Sequence, residues 1–247
     1  MKAELVLIRP DWPAPASVRA AVSTREGGVS AAPYDTLNLA SHVGDREASV
    51  AENRRRLREA LRLDAEPSWL EQRHGANVAH LGDAPRAAGA DAAVAFERGQ
   101  VCAVLTADCL PVLLCDRGGT RVGIAHAGWR GLAAGVLESA LAALECAPEE
   151  LMAWLGPAIG PRAFEVGDEV RARFMADDAG NGVAFDCNQR GRWQADLYAL
   201  ARRRLTRAGV TSVYGGGAST HAEPQRFFSY RRDGVCGRMA SLVWLAA

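Results

Sequence analysis

Within VCAVLTADCLPVLLCDRGGTRVGIAHAGWRG, residues 101–131, a cysteine (Cys109) and a histidine (His126) stand at the ends of apolar runs that can fold back on each other. A thiolate and an imidazole held together can share a metal ion or pass a proton, the chemistry of zinc centres and of cysteine nucleophiles. Val112 to Cys115 and Arg121 to Ala125 read as strands around the turn Asp116 to Gly119, so an antiparallel hairpin is expected over 112–125. Pro111 marks the break before it, because proline cannot donate to a central ladder. Pairing Cys115 with Arg121 sets Leu110 against His126 and leaves Cys109 one position away. A slip of one register step puts Cys109 directly opposite His126, with Cα atoms roughly 4.5–5.5 Å apart.

Other reactive side chains have two readings each. Arg25 precedes Gly27 and Gly28 in a loop whose backbone can approach a ligand, yet Arg25 and Asn38 are equally explained as loop hydrogen-bonding residues. His74, beside Gly75 after the short strand at Trp69 and Leu70, reads by itself as a turn residue. After His126, the run AGWRG leads into a helix whose start favours an anion, with Arg130 adding a charge, or is a close-packed turn. His42 and His80 carry no chemical signal.

The elements that must position these groups are those of a mixed α/β protein. Leu5 to Ile8 and Val18 to Ser23 are expected as strands. A helix capped by Asp45 is expected to run to Leu63, burying Ala51, Leu57 and Leu61 and pairing Glu52 with Arg56. GADAAVA at 89–95 reads as a loop entering a strand, and one helix is expected to carry Leu132, Val136, Ala140 and Leu144. The two Gly-Pro pairs of 154–164 impose irregular backbone. Helices are expected at 165–175 and 194–208, the second burying Leu197, Leu200, Ala201 and Leu205, and strands near Val213 and at Met239 to Leu245. No repeat or linker divides the chain, so 1–247 reads as a single domain.

Composition excludes several classes. The 247 residues are 49% apolar and 23% charged, with 29 basic and 29 acidic residues, so no net charge draws the chain to nucleic acid or to an anionic membrane. The clusters Arg54 to Arg56 and Arg202 to Arg204 read as solvated helix faces. No apolar run is long enough for a membrane span, and no secretory leader is read at the start. The cysteines at 102, 109, 115, 146, 187 and 236 form no Cys-X-X-Cys pair and no disulfide framework. All but Cys109 read as small hydrophobes or incidental thiols, and a cytoplasmic location is expected.

Taken together, TREGGVS (24–30), YDTLNLASHVGD (34–45), QRHG (72–75), ADCLPVLL (107–114), HAGWRG (126–131), GPAIGP (156–161), FEVGDEV (164–170) and FFSYRRDG (227–234) resemble the YfiH family, also called the laccase-domain or multicopper polyphenol oxidoreductase family. The resemblance implies a three-layer α/β fold with mixed sheets, related to the catalytic domain of cytotoxic necrotizing factor. It implies a zinc site on His74, Cys109 and His126, with copper less favoured, and three protein ligands leave a fourth position open. It also implies phosphorolysis of adenosine, inosine, guanosine and methylthioadenosine, with adenosine deamination as a second activity. Arg25 and Arg130 are then candidates for holding phosphate, and Asn38 and Gln72 for orienting the nucleoside. The chain departs from the family at Arg73, at Arg162 and Ala163, and at Ser219, where cysteines are common at the last three, so no second thiol is expected. The oligomeric state is not legible. Competing classes are a cysteine hydrolase or deamidase with Cys109 as nucleophile and His126 as base, and a peptidoglycan editing factor. Laccase chemistry is disfavoured, since a multicopper centre needs many histidines and this chain has five.

Overall fold

The computed structural model describes residues 4–82 and 89–246. Its strands are β1 (Leu7–Ile8), β2 (Val18–Ser23), β3 (Ser68–Trp69), β4 (Val78–His80), β5 (Ala92–Ala95), β6 (Val101–Thr106), β7 (Leu110–Asp116), β8 (Val122–Ala127), β9 (Leu151–Leu155), β10 (Glu165–Val166), β11 (Phe185–Cys187), β12 (Trp193–Ala195), β13 (Ser212–Gly215) and β14 (Met239–Leu245). The α-helices are α1 (Glu47–Leu61), α2 (Trp129–Ala134), α3 (Val136–Ala143), α4 (Asp168–Asp177), α5 (Leu197–Arg207) and α6 (Tyr230–Asp233). Five strands form one sheet in the order β1-β2-β14-β6-β3 and six form another in the order β13-β9-β7-β8-β5-β4, with a small sheet β10-β12-β11 beside them. Both large sheets are mixed. The pairs β3 with β6, β4 with β5 and β13 with β9 are parallel, and the other pairs are antiparallel.

Period-two alternation explains how the sheets stack. Val18, Ala20 and Val22 of β2 and Val243 of β14 face Leu113, Cys115, Ile124 and Trp154 of the six-stranded sheet. On the outer side of the first sheet, Ala21, Ala103 and Leu242 pack on Leu57 and Leu61 of α1. On the outer side of the second, Val112, Leu114, Ala125 and Ala153 pack on α3 and α5 through Leu137, Ala140, Leu200 and Leu205. The layered mixed α/β architecture is therefore as expected. Its layers run helix, sheet, sheet, helix, one more than three, because α1 covers a face of its own.

Several local expectations are corrected. Asp45 does not cap α1, whose start has no side-chain cap. Its carboxylate accepts instead from Ser30 Oγ and Asn38 Nδ2, tying two loops together. Ala51 is exposed, and the buried stripe of α1 is Val50, Asn53, Leu57 and Leu61. The helix after Gly131 is two helices, broken where Gly135 takes φ 88°. Helices α4 and α5 begin later than expected because Glu165–Val166 and Trp193–Ala195 pair with each other as strands. Arg204 is not on a solvated face: it is buried, bonded to Glu138 and Asp177.

What positions the site is a change of sheet. Strand β6 belongs to the first sheet and β7 to the second, so residues 107–109 carry the chain across the gap between them. Pro111 does not break β7 but lies inside it, opposite His126. Its carbonyl points past the end of β9 to Gly156 N, so its missing N–H removes no ladder bond. Because Leu113 fills the space between the sheets with no exposure, Leu113→Ala should lower unfolding free energy by about 2–5 kcal/mol in urea titration; a loss under about 1 kcal/mol would mean that the intersheet core is not the support described.

Candidate metal centre

The hairpin register differs from both sequence-based alternatives. Leu110 pairs with Ala127 and Cys115 with Val122, which puts Pro111, and neither Leu110 nor Cys109, opposite His126. Continued outward, this register sets Cys109 against Gly128, on the same face as His126 and one diagonal step away, within reach of its ring. Gly128 is required there. A Cβ on it would lie 2.7 Å from Cys109 Sγ, so the sulfur occupies the volume that any side chain would need.

His74 closes the cluster. Its Nε2 lies 3.9 Å from Cys109 Sγ, and its ring meets the His126 ring edge-on with centroids 4.7 Å apart. One ligand atom from each of His74, Cys109 and His126 lies within 4.8 Å of the others, a separation that one bound ion can bridge. His126 is buried, Cys109 half-buried and His74 exposed, so the cluster is walled on one side and open on the other. Two imidazoles and a thiolate form a donor set suited to zinc with a remaining open position.

Sequence reasoning missed the residue that holds this arrangement. Asp91, fully buried just before β5, accepts from the backbone amides of Arg73, His74 and Gly75 at 2.7–2.9 Å and lies 2.8 Å from His126 Nδ1. Its own carbonyl accepts from His126 N at 2.7 Å. Asp91 thus fixes the His74 loop and the His126 ring at once, and turns Nε2 of His126 toward the cluster. Three successive amides wrap the carboxylate because His74 adopts φ 59°, a left-handed conformation that a histidine takes at some cost. The signal was present in GADAAVA: a lone acid in a buried apolar run needs partners.

The electrostatics follow from these contacts. Burial alone would raise the Asp91 carboxyl, but the His126 ring and the Gly75 and Arg73 amides outweigh it and hold it below the usual carboxylate range. Burial would likewise raise the Cys109 thiol, but the charge of His126 and hydrogen bonds from His126 and His74 bring it down to about 6. His126 is raised to about 9, against burial, by the Cys109 thiolate and by Asp91. Without metal, each group therefore favours the charged form of the other.

Asp108 anchors the crossing turn. It takes φ 87°, and its carboxylate accepts from Thr220 Oγ1 at 2.6 Å and from Arg231 N at 2.7 Å. That strap brings Tyr230 and Arg231 to a cavity of about 140 Å³ beside Cys109, with Trp129, Ile159, Phe164 and Leu197 on its other walls. Phe164, Tyr230 and Arg231 lie in the motifs FEVGDEV and FFSYRRDG, but none was given a site role from the sequence.

The four expected substrate-binding residues do not join the cluster. Arg25 donates to Asp35 O, Asp35 Oδ2 and Pro224 O and stacks on Phe228, so it clamps loops together. Asn38 is fully buried and bonded to Ala40, Asp45 and Arg238 N. Gln72 donates to Leu105 O and accepts from Leu105 N, acting as one more rung on β6. Arg130 is exposed and stacks on Trp129. Of the departures from the family pattern, Ser219 accepts from Gly160 N, a turn contact that needs no thiol.

With this geometry in view, likeness to known proteins decides the family. The model of the multi-copper polyphenol oxidoreductase laccase family matches residues 19–246. The chain belongs to this family. A Pseudomonas aeruginosa relative named purine nucleoside phosphorylase is 57% identical over 239 residues, covering 96% of this chain and 98% of its own. The Escherichia coli member, named purine nucleoside phosphorylase YfiH, is 55% identical over 240 residues, covering 97% and 98%. The crystal structure of Neisseria meningitidis protein NMB0706 superposes with a TM-score of 0.93 at 49% identity, covering 98% of this chain and 99% of that one. Membership of the laccase-like family thus confirms the resemblance drawn from the motifs, and the mixed-sheet fold is that of the YfiH structures.

Two outcomes test this centre. Asp91→Asn removes one of the two acceptor oxygens shared by three amides and His126, and should weaken zinc binding about 10–100-fold in chelator competition; unchanged affinity would show that His126 needs no such brace. In the metal-free protein, alkylation of Cys109 should rise through a midpoint near 6 rather than near 9. The sign is that of a depressed thiol: the thiolate is lost as pH falls through about 6. A midpoint at the ordinary cysteine value, read by mass spectrometry, would remove the proposed pairing with His126.

Proposed function

We propose that this protein is a zinc-dependent purine nucleoside phosphorylase, acting on adenosine, inosine, guanosine and methylthioadenosine, with adenosine deamination as a second activity. One observation carries the reading: the His74, Cys109, His126 donor set, braced by Asp91, lies in a chain 55–57% identical to relatives that bear the phosphorylase name. The reaction joins nucleoside and phosphate: a phosphate oxygen bonds to the ribose anomeric carbon, the glycosidic bond breaks, and purine base and ribose 1-phosphate leave. Zinc on the three ligands would supply Lewis-acid polarisation and, for deamination, an activated water.

The chain's own groups account for the rest. Trp129, Phe164 and Tyr230 offer aromatic walls for a flat purine beside Cys109. Arg231 lines the same cavity and uses one amino group on the Ala163 and Glu165 carbonyls, leaving its other donors for an anion. It takes the phosphate role that Arg25 was expected to fill. Reaction in the cytoplasm, by one catalytic unit, agrees with six cysteines that are all unpaired and with helices none of which, among the described residues, is long and apolar enough to cross a membrane.

A second reading has an observation of its own. Cys109 with a thiol lowered to about 6, His126 beside it and Asp91 behind His126 form the order of groups used by cysteine hydrolases. Cys109 cannot be ligand and free nucleophile at once, so metal content separates the two. Chromatography of adenosine and inosine incubations should show phosphate-dependent release of adenine and hypoxanthine, with ammonia from adenosine independent of phosphate. His74→Ala and Cys109→Ala should lose both activities together by at least about 100-fold, whereas Arg231→Ala should chiefly raise the phosphate KM. No base release from zinc-loaded protein with any of the four nucleosides would overturn the proposal.

A further inference from the structure

A second cavity, of about 590 Å³, opens at the other end of the central strands. Strand β6 runs from Val101 in its wall toward the Ala107 to Cys109 turn, and β14 runs back from Met239 to Trp244, so the cavity and the metal centre lie at opposite ends of the same two strands. Its charged and aromatic walls are Arg9, Trp12, Arg19, Arg62, Asp64 and Trp244. Arg19 on β2 and Trp244 on β14 are register partners on the outer face of the five-stranded sheet, past the point where α1 stops at Leu61. Residues from Arg9 to Ala16 complete the lining, where Trp12 and Ala14 also pack on the intersheet core.

The lining is rich in donors and poor in acceptors. Arg9 makes one long hydrogen bond, to Ala20 O at 3.4 Å. Among the described residues, the side chains of Arg19 and Arg62 and the indole N–H groups of Trp12 and Trp244 have no protein acceptor. Asp64 is the lone carboxylate against three guanidinium groups. Elsewhere on the surface some arginines hold a carboxylate, as Arg25, Arg55, Arg56, Arg203, Arg207 and Arg232 do, whereas Arg130 and Arg202 stack on a ring or bond to carbonyls. Guanidinium groups left without carboxylates around a concave space suit a multiply charged oxyanion. The volume is of the size that small-molecule sites have and far exceeds a bare phosphate, and an indole wall offers a face for a planar base. A polynucleotide is disfavoured by the chain's zero net charge.

We propose that this cavity is a second binding site, separate from the metal centre, for a nucleoside monophosphate: the phosphate sits among Arg9, Arg19 and Arg62, and the base lies against Trp12. The site binds and does no chemistry. Its occupant shares the purine chemistry of the family's named activity but carries base and phosphate on one molecule, whereas the metal-side cavity takes them as separate substrates.

Isothermal titration of the full chain with AMP, adenosine and inorganic phosphate tests it, on wild type, Cys109→Ala, Arg19→Ala with Arg62→Ala, and Trp12→Leu. Both arginines are exposed, so the double variant should keep its fold, checked by its melting curve. AMP should bind wild type and Cys109→Ala alike, and the double variant at least about tenfold more weakly, the loss expected for removing charge-assisted hydrogen bonds. Trp12→Leu should weaken AMP but leave phosphate binding unchanged. Adenosine and phosphate alone should each bind this site more weakly than AMP. The proposal is overturned by AMP affinity that survives loss of both arginines, by affinity that disappears in Cys109→Ala, by phosphate binding that is lost in the double arginine variant and as tight as that of AMP, or by no AMP binding at millimolar concentration.

Discussion

A single buried carboxylate is the constraint on which the rest of the site depends. Asp91 has no exposure, and an unpaired charge in that position would cost about 3–5 kcal/mol. It is satisfied by three amides of the His74 loop and by the His126 ring, close to the full acceptor capacity of a carboxylate. The penalty for leaving it unsatisfied is what keeps a surface loop and a core strand in register with each other. His74 is exposed and would otherwise sample many positions. Its placement against Cys109 is inherited from the burial of Asp91 rather than from packing of its own ring.

The second constraint is spatial. Cys109 ends the turn that crosses between sheets, and its sulfur sits where Gly128 lacks a side chain. The thiol is held by backbone on both sides, since Asp108 pins the turn to Thr220 and Arg231. The same bonds bring Tyr230 and Arg231 to the cavity beside it. A carboxylate next to Cys109 therefore organises the wall of the cavity through its bonds to Thr220 and Arg231.

How much of this was legible can be argued from particular residues. Strands β2 and β14 were read to the residue, because their short, mostly apolar runs are rich in strand-forming residues. The hairpin was right and its register was off by one, since the turn at Asp116 to Gly119 admits both pairings and the choice is made by β9 and β5 on either side. Gly135 was hidden inside a helical period that continues across the break. The cysteine and two histidines were identified through motifs, whereas Asp91 was passed over as part of a strand entry. Arg25, Asn38 and Gln72 stand in motif-rich loops where polar residues look like ligands' partners, and in the structure their hydrogen bonds go to backbone and to neighbouring loops. A one-dimensional reading cannot distinguish a side chain that holds a loop from one that holds a substrate.

The placement of β14 sets the order of events during synthesis. It is last in the chain and third of five in its sheet, lying between β2 and β6. As the polypeptide leaves the ribosome, β2 and β6 emerge with a strand-wide gap between them that nothing already made can fill. The long-range pairings of Asp108, to residues 112 and 123 positions further on, wait on the same final stretch. The sheet therefore closes only when β14 docks between two strands far from it in sequence, the kind of distant pairing that slows folding. Until β14 docks, the edges of β2 and β6 stand open, and the turn at Asp108 lacks its ties to Thr220 and Arg231.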